Sequence, residues 1–370
     1  MRRLSLCLCL LAATSTLAVG ASGCIAPPRL TVTTLVGGLD HPWDLGFAGN
    51  AIVFTERGGR ISSYVNGVRR VMATPSDVKL LGESGMLGIA VDSQFASNRY
   101  IYTCFASTLP EPDDVRLVRW TVNADFSALS NRTDIVTGMP QNGSSGRHSG
   151  CRPRMDAQGR LWVGTGDAAS PTVPQNPRSL GGKVLRVNRD GSAVAGNPGG
   201  ALDSRIFSYG HRNVQGIAIR PRDGLGVTIE HGTSQDDELN RLVTGNFGWD
   251  PYSPPSTAYD EGRPMTDLTK FPTAVRALWS SGDPTIAPSG GVFLTGSRWG
   301  QWNDALVMAL LKGRKLLAFK LGPTGAFQDV GVALTNRGRL RSVVQGPDAN
   351  LYVTTDNGGG ADAILRVVPG

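Results

Sequence analysis

The feature that most constrains this 370-residue chain is a strand-turn-strand unit that recurs six times. Each copy has an apolar strand, a turn rich in Asp, Asn or Gly, a second strand rich in β-branched and aromatic residues, and usually a third strand. The last copy is the cleanest: LRSVVQGPD (340–348), NLYVTTD (350–356) and ILRVV (364–368). The others begin at HPWDLGFAGN (41–50), GMLGIAVD (85–92), CRPRMDAQG (151–159), NVQGIAIRPRDG (213–224) and GGVFLTG (290–296). Insertions at 168–180 and 249–285 hide the period. Antiparallel sheets of three or four strands repeated six times around an axis make an all-β, six-bladed β-propeller, whose radial packing protects strand edges. A β-sandwich is the alternative, and the repeated order argues against it. The 48 glycines, 23 prolines and 18% charged residues also favour short strands and tight turns over helices.

Residues 1–23 carry Arg2 and Arg3, an apolar stretch and the small residues Ala21, Ser22 and Gly23, the layout of a secretion signal. An exported protein, periplasmic or held at the cell envelope, is expected, with residues 24–370 forming one propeller domain. Cys24 is placed either to become a lipidated first residue, the one link to a membrane, or to follow a plain cleaved signal. No later run reaches the roughly 20 apolar residues of a membrane helix. Of the five cysteines, Cys104 and Cys151 belong to the folded body, and oxidising surroundings favour their pairing over two buried thiols. The net charge of +7 is too mild and scattered for a nucleic-acid partner.

In an antiparallel pair the start of the first strand and the end of the second share one sheet edge. The starts carry Glu83, His148, Arg212 with Asn213, and Arg339 with Arg341; the ends carry Asp167, Glu230-His231-Gly232, Lys312 and Asp356. Polar groups from most blades therefore ring one channel mouth. In GRHSGCR (146–152) the glycines let backbone approach a ligand, and Asp167 returns to the edge of His148 to orient its ring. A histidine held by a carboxylate is a proton acceptor. Arg212, Lys312, Arg339 and Arg341 repel one another unless an anion fills the ring or they pair with Glu83, Asp167 or Asp356. Asp236, Asp237 and Glu238 crowd acid oxygens beside a glycine turn, as hard cations such as calcium prefer. The sequence lacks GxxxxGK[ST], HExxH and a GxGxxG after a strand, and GESGM (82–86) only half resembles a nucleophile elbow.

Seven segments in order, LGESGMLGIAVD, GRHSGCRPRMDAQGRLWVGTGD, LGGKVLRVNRDG, IFSYGHRNVQGIA, EHGTSQDDELN, NFGWD and GRLRSVVQGPD, resemble the soluble glucose/sorbosone dehydrogenases over about residues 35 to 368. The resemblance implies a six-bladed propeller that uses pyrroloquinoline quinone (PQQ) and calcium to oxidise the anomeric carbon of an aldose. It implies His148 as base, oriented by Asp167, and Arg212, Asn213, Gln215, Lys312, Arg339 and Arg341, with Glu83, around the quinone. The carbonyls of Gly232 and Thr233 would hold a catalytic calcium. Asp237, Glu238 and the Phe247 carbonyl would hold a structural one. Glu83 stands where glucose-specific members carry glutamine, Arg147 replaces an aspartate and Thr233 a proline, which points to the broader aldose dehydrogenase branch. A sugar and an external electron acceptor in the envelope are the implied partners. A non-enzymatic propeller binding module and a calcium-dependent lactonase are the competing readings.

Overall fold

The computed structural model describes residues 24–109 and 111–370, so the secretion-signal reading of 1–23 lies outside the described residues. Six antiparallel sheets form in chain order. Blade 1 comprises Pro42–Ala48, Ala51–Glu56, Ile61–Val65 and Val68–Ala73, and blade 2 Met86–Val91, Tyr100–Ser107, Asp114–Val122 and Leu129–Pro140. Blade 3 comprises Gly150–Met155, Leu161–Thr165, Lys183–Val187 and Ile206–Tyr209, with Gly245–Asn246 added in parallel at its edge. Blade 4 comprises Val214–Ile219, Gly226–Glu230, Glu238–Arg241 and Trp279–Ser280, and blade 5 Pro288–Phe293, Leu306–Leu310, Leu316–Leu321 and Phe327–Ala333. Blade 6 comprises Leu340–Gln345, Leu351–Thr355 and Asp362–Pro369, and its fourth strand is Leu30–Leu39 from the other end of the chain. The first strand of each blade packs against that of the next, and the ring closes between blades 6 and 1.

The second strand of every blade is sandwiched between neighbouring sheets. This is why AIVFTE, LWVGT, GVTIE, LVMAL and LYVTT are buried at every position instead of alternating. The closing strand Leu30–Leu39 sits at the perimeter and leaves many of its side chains in solvent. Near the axis, Arg152 ties the inner strands together. Its guanidinium lies 2.6 Å from Asp44 of blade 1 and donates to the Gln215 carbonyl at 2.7 Å, Ser289 Oγ at 2.9 Å and Ser342 Oγ at 3.2 Å. Burial pushes Arg152 down to about 9, and Asp44 opposes that by stabilising its charge.

One backbone hydrogen bond repeats around the mouth. An N–H at or just after the end of the second strand donates to a carbonyl just before the first: Arg57 to His41, Ala106 to Gly85, Ala168 to His148, His231 to Asn213, Leu311 to Ala287 and Asp356 to Arg339. All six blades thus bring the two places expected to carry polar side chains to one edge.

The Cys104–Cys151 disulfide forms, with Cα atoms 5.8 Å apart, joining the second strand of blade 2 to the first strand of blade 3. Cys24 is exposed and Ile25 N–H donates to the Val330 carbonyl, which lays the start of the described chain along blade 5. Among the described residues no helix is long and apolar enough to cross a membrane.

Candidate active site

His148 lies just before the first strand of blade 3 in left-handed backbone, φ 54°, an unusual conformation for a residue with a side chain. The glycines of GRHSG make it possible, by letting backbone approach backbone. A Cβ at Gly146 would collide with the Leu81 carbonyl in the connection leading into blade 2, and one at Gly166, just past the second strand, would collide with the carbonyl of His148 itself. The close approach these glycines allow is made here between backbone segments.

His148 is 2% exposed and its Nδ1 is 2.7 Å from Asp167 Oδ1. Asp167 is fully buried and saturated with donors. Ala169 N–H reaches Oδ1 at 2.8 Å, while Trp249 Nε1–H at 2.8 Å and the Tyr259 hydroxyl at 2.6 Å both reach Oδ2. Burial followed by the Asp167 charge pushes the Tyr259 hydroxyl up, so the phenol keeps its proton and donates. A carboxylate that only accepts requires the proton on Nδ1, which leaves Nε2 as the basic atom. Arg147 Nη2 stands 3.2 Å from that Nε2, and Glu83 Oε2 accepts the His148 N–H at 3.1 Å.

The structure sorts the cations into two clusters and one lone lysine. Arg212 is buried and bonds Glu261 at 2.8 Å, and Glu261 also pairs with Arg147. Burial raises the Glu261 carboxyl, but Arg212 and then Arg147 outweigh it and the net shift is down. Arg341 and Arg339 share Asp356, at 2.9 and 3.4 Å, whose other oxygen meets His41 Nδ1 at 2.8 Å. Burial opposes ionisation of Asp356, yet Arg341 and His41 bring it down to about 2. Lys312 is exposed and forms no ion pair among the described residues. Ion pairing, one of the two expected fates of the ring, therefore accounts for part of it.

Pairing leaves polar atoms over. Arg212 Nε, Arg341 Nε, Asn213 Nδ2 and Gln215 Oε1 are buried without a hydrogen-bond partner in the described structure. All four belong to residues expected to hold the quinone, and buried polar atoms are rarely left alone. This donor-rich set fits a flat, carboxylated ligand.

The acidic segment behaves differently. Asp237 is fully buried, and its oxygens accept Gly232 N–H at 2.9 Å, Thr285 Oγ1–H at 2.7 Å, Ile286 N–H at 2.6 Å and Ala287 N–H at 2.9 Å. Three of these donors reach Oδ2 and one reaches Oδ1, so Asp237 organises the turn at Gly232 and Thr233. Glu238 is buried, and desolvation with the charge of Glu230 lifts it to about 8. Asn240 Nδ2 bridges the two carboxyls, and Phe247 stacks on His211 with ring centroids 4.3 Å apart. Among the described residues no three His, Cys, Asp or Glu side chains converge as a metal cage.

The family described as Glucose / Sorbosone dehydrogenase matches residues 39–366. The chain belongs to that family. It is 30% identical to the Synechocystis sp. uncharacterized protein slr1608, over 90% of this chain and 85% of that protein. It is 29% identical to the Escherichia coli aldose sugar dehydrogenase YliI, over 93% of this chain and 94% of the relative. Among solved structures, the PQQ-bound aldose sugar dehydrogenase of Streptomyces coelicolor superposes with a TM-score of 0.74 at 29% identity, covering 92% of this chain and 99% of that one.

Site residues missed by sequence reading fall into two kinds. His41 and Arg57 obey the same strand-edge rule that located the others, and Arg57 lies close enough to Arg341 and Arg339 to feel both charges. Trp249, Tyr259 and Glu261 come from the 249–285 insertion, which carries no repeat and no periodicity.

Proposed function

We propose that this protein is a PQQ-dependent aldose dehydrogenase that oxidises the anomeric carbon of a sugar to the lactone. The observation that carries the reading is the buried His148–Asp167 pair set beside a rim of unpartnered donors. His148 Nε2 takes the proton of the anomeric hydroxyl as the C1 hydride departs. Asp167, held by Trp249 and Tyr259, fixes the tautomer and stabilises the imidazolium that results. Arg212, Asn213, Gln215, Lys312, Arg339 and Arg341 would hold the quinone, with Glu83 beside the base. When bound, the quinone supplies the two-electron acceptor for the hydride. Kinship with an aldose sugar dehydrogenase and a PQQ-bound homologue supports this assignment.

The carbonyls of Gly232 and Thr233 would hold a calcium ion, with Asp237, Glu238 and the Phe247 carbonyl as a second candidate set, and the ion would supply Lewis acidity and loop rigidity. An external acceptor in the cell envelope would reoxidise the enzyme, and export, with or without a lipid on Cys24, would place it there.

The test is reconstitution. Purified protein should reduce a redox dye in the presence of aldoses only after addition of PQQ with calcium, and a panel of sugars then ranks the substrates. Lactone hydrolysis without quinone, or micromolar PQQ failing to change the absorbance of the mixture, sinks the proposal.

A further inference from the structure

Lys183 is an ionisable side chain of the central region for which the reaction above has no use. It opens the third strand of blade 3 directly after the 168–180 insertion and is 0% exposed. Its ammonium makes three hydrogen bonds, all to backbone carbonyls: Val173 at 2.9 Å, Pro174 at 2.9 Å and Gly181 at 2.6 Å. Among the described residues no carboxylate touches it; burial lowers its pKa to about 7, and the charge of Asp167 opposes that fall. An ammonium has three protons and no acceptor capacity, so three carbonyls satisfy it completely. Such a group cannot leave water without those partners, and the partners lie in a segment with no strand or helix of its own.

The segment folded on this ammonium leads on to the base. Gln175, next after Pro174, donates from Nε2 to the Trp249 carbonyl at 2.8 Å and to Asn246 Oδ1 at 3.1 Å, and accepts from Asn246 Nδ2 at 3.0 Å. The Trp249 indole then donates to Asp167 Oδ2. At the near end, Ser170 N–H donates to the Asp167 carbonyl. The order is therefore Lys183, residues 173–175, Trp249, Asp167, His148.

We propose that Lys183 is a positioning residue: its buried ammonium is the internal counterpart around which residues 168–182 fold, and through Gln175 and Trp249 it sets the carboxylate behind His148. The inference deepens the dehydrogenase reading and rests on it for the kinetic arm of the test alone.

Backbone hydrogen exchange of the full chain, without quinone or sugar, tests the structural arm in Lys183→Met and Gln175→Leu. Residues 168–182 and 246–250 should exchange at least about 10-fold faster while strands of blades 1, 5 and 6 keep their protection. In the reconstituted dye assay, kcat should fall about 10-fold with KM and the PQQ dissociation constant within about 2-fold. Unchanged exchange over 168–182 in folded Lys183→Met overturns the proposal, as does loss of protection spread evenly over all blades. Should Lys183→Met fail to fold, Gln175→Leu decides: wild-type exchange at 246–250 with wild-type kcat overturns it. A wild-type protein inert with quinone and sugar refutes the dehydrogenase reading and leaves the exchange result standing on its own.

Discussion

His148 Nδ1 and Asp167 Oδ1 lie 2.7 Å apart although they are 19 positions apart in sequence, because the first strand of blade 3 starts and the second ends at the same edge. Replacing the base tests this pair most directly. His148→Ala should lower kcat at least about 10²-fold, the usual scale for a general base, with PQQ affinity nearly unchanged. Asp167→Asn should be as severe or worse, because an amide can donate to Nδ1 and shift the ring proton to Nε2. Steady-state kinetics beside a PQQ titration separates loss of chemistry from loss of cofactor.

Tyr259→Phe removes one of the two donors on Asp167 Oδ2 and leaves Trp249. A roughly 10-fold fall in kcat with little change in KM is expected, since one hydrogen bond to a charged group is worth about 1.5–3 kcal/mol and the remaining donor recovers part of it.

Glu261 competes for Arg212 with any anionic ligand, and its side chain is 39% exposed. Glu261→Gln should therefore tighten PQQ binding a few-fold, the scale of a half-exposed ion pair, and the gain should shrink as salt is raised. Isothermal titration of the apoprotein at two ionic strengths measures it.

Asp356 ties stability to acid pH. Its carboxyl is depressed in the folded protein to about 2 from an ordinary 3.8, so its stabilisation is complete above about pH 4 and is lost as pH falls through 2. The difference of nearly two pH units corresponds to on the order of 2 kcal/mol. Asp356→Asn should be less stable than wild type at pH 7, and denaturant melts should converge toward pH 2.

The Cys104–Cys151 bond closes a loop over a sequence separation of 47 residues, for which chain entropy gives about 4 kcal/mol. Reduction, or the double change Cys104→Ser with Cys151→Ser, should lower the melting temperature. It should also lower kcat, because Cys151 lies three residues from His148. Scanning calorimetry with and without reductant, followed by the dye assay, checks both.

Much of the fold and half of the site were legible before any coordinates. Six strand-turn-strand units announced six blades because strand formation and burial on both faces are written locally, as in LWVGT and LVMAL. The edge rule then placed His148 with Asp167 and Arg339 with Asp356, since antiparallel pairing maps sequence onto space by simple counting. Applied to blade 1, the same rule reaches His41 and Arg57. Three features needed the tertiary structure. Leu30–Leu39 completes blade 6 through pairing with residues more than 300 positions away, and nothing in its own pattern names that partner. Tyr259 and Glu261 reach the base from an insertion whose path is set by contacts with Asp167, Arg147 and Arg212. Asp237 read as a cation ligand by composition, and only the structure showed that it also gathers the donors of Gly232, Thr285, Ile286 and Ala287. Local periodicity and strand counting are properties of neighbouring residues. The counter-charge beside each arginine, and the donors around each carboxylate, depend on which distant loops the closed ring brings together.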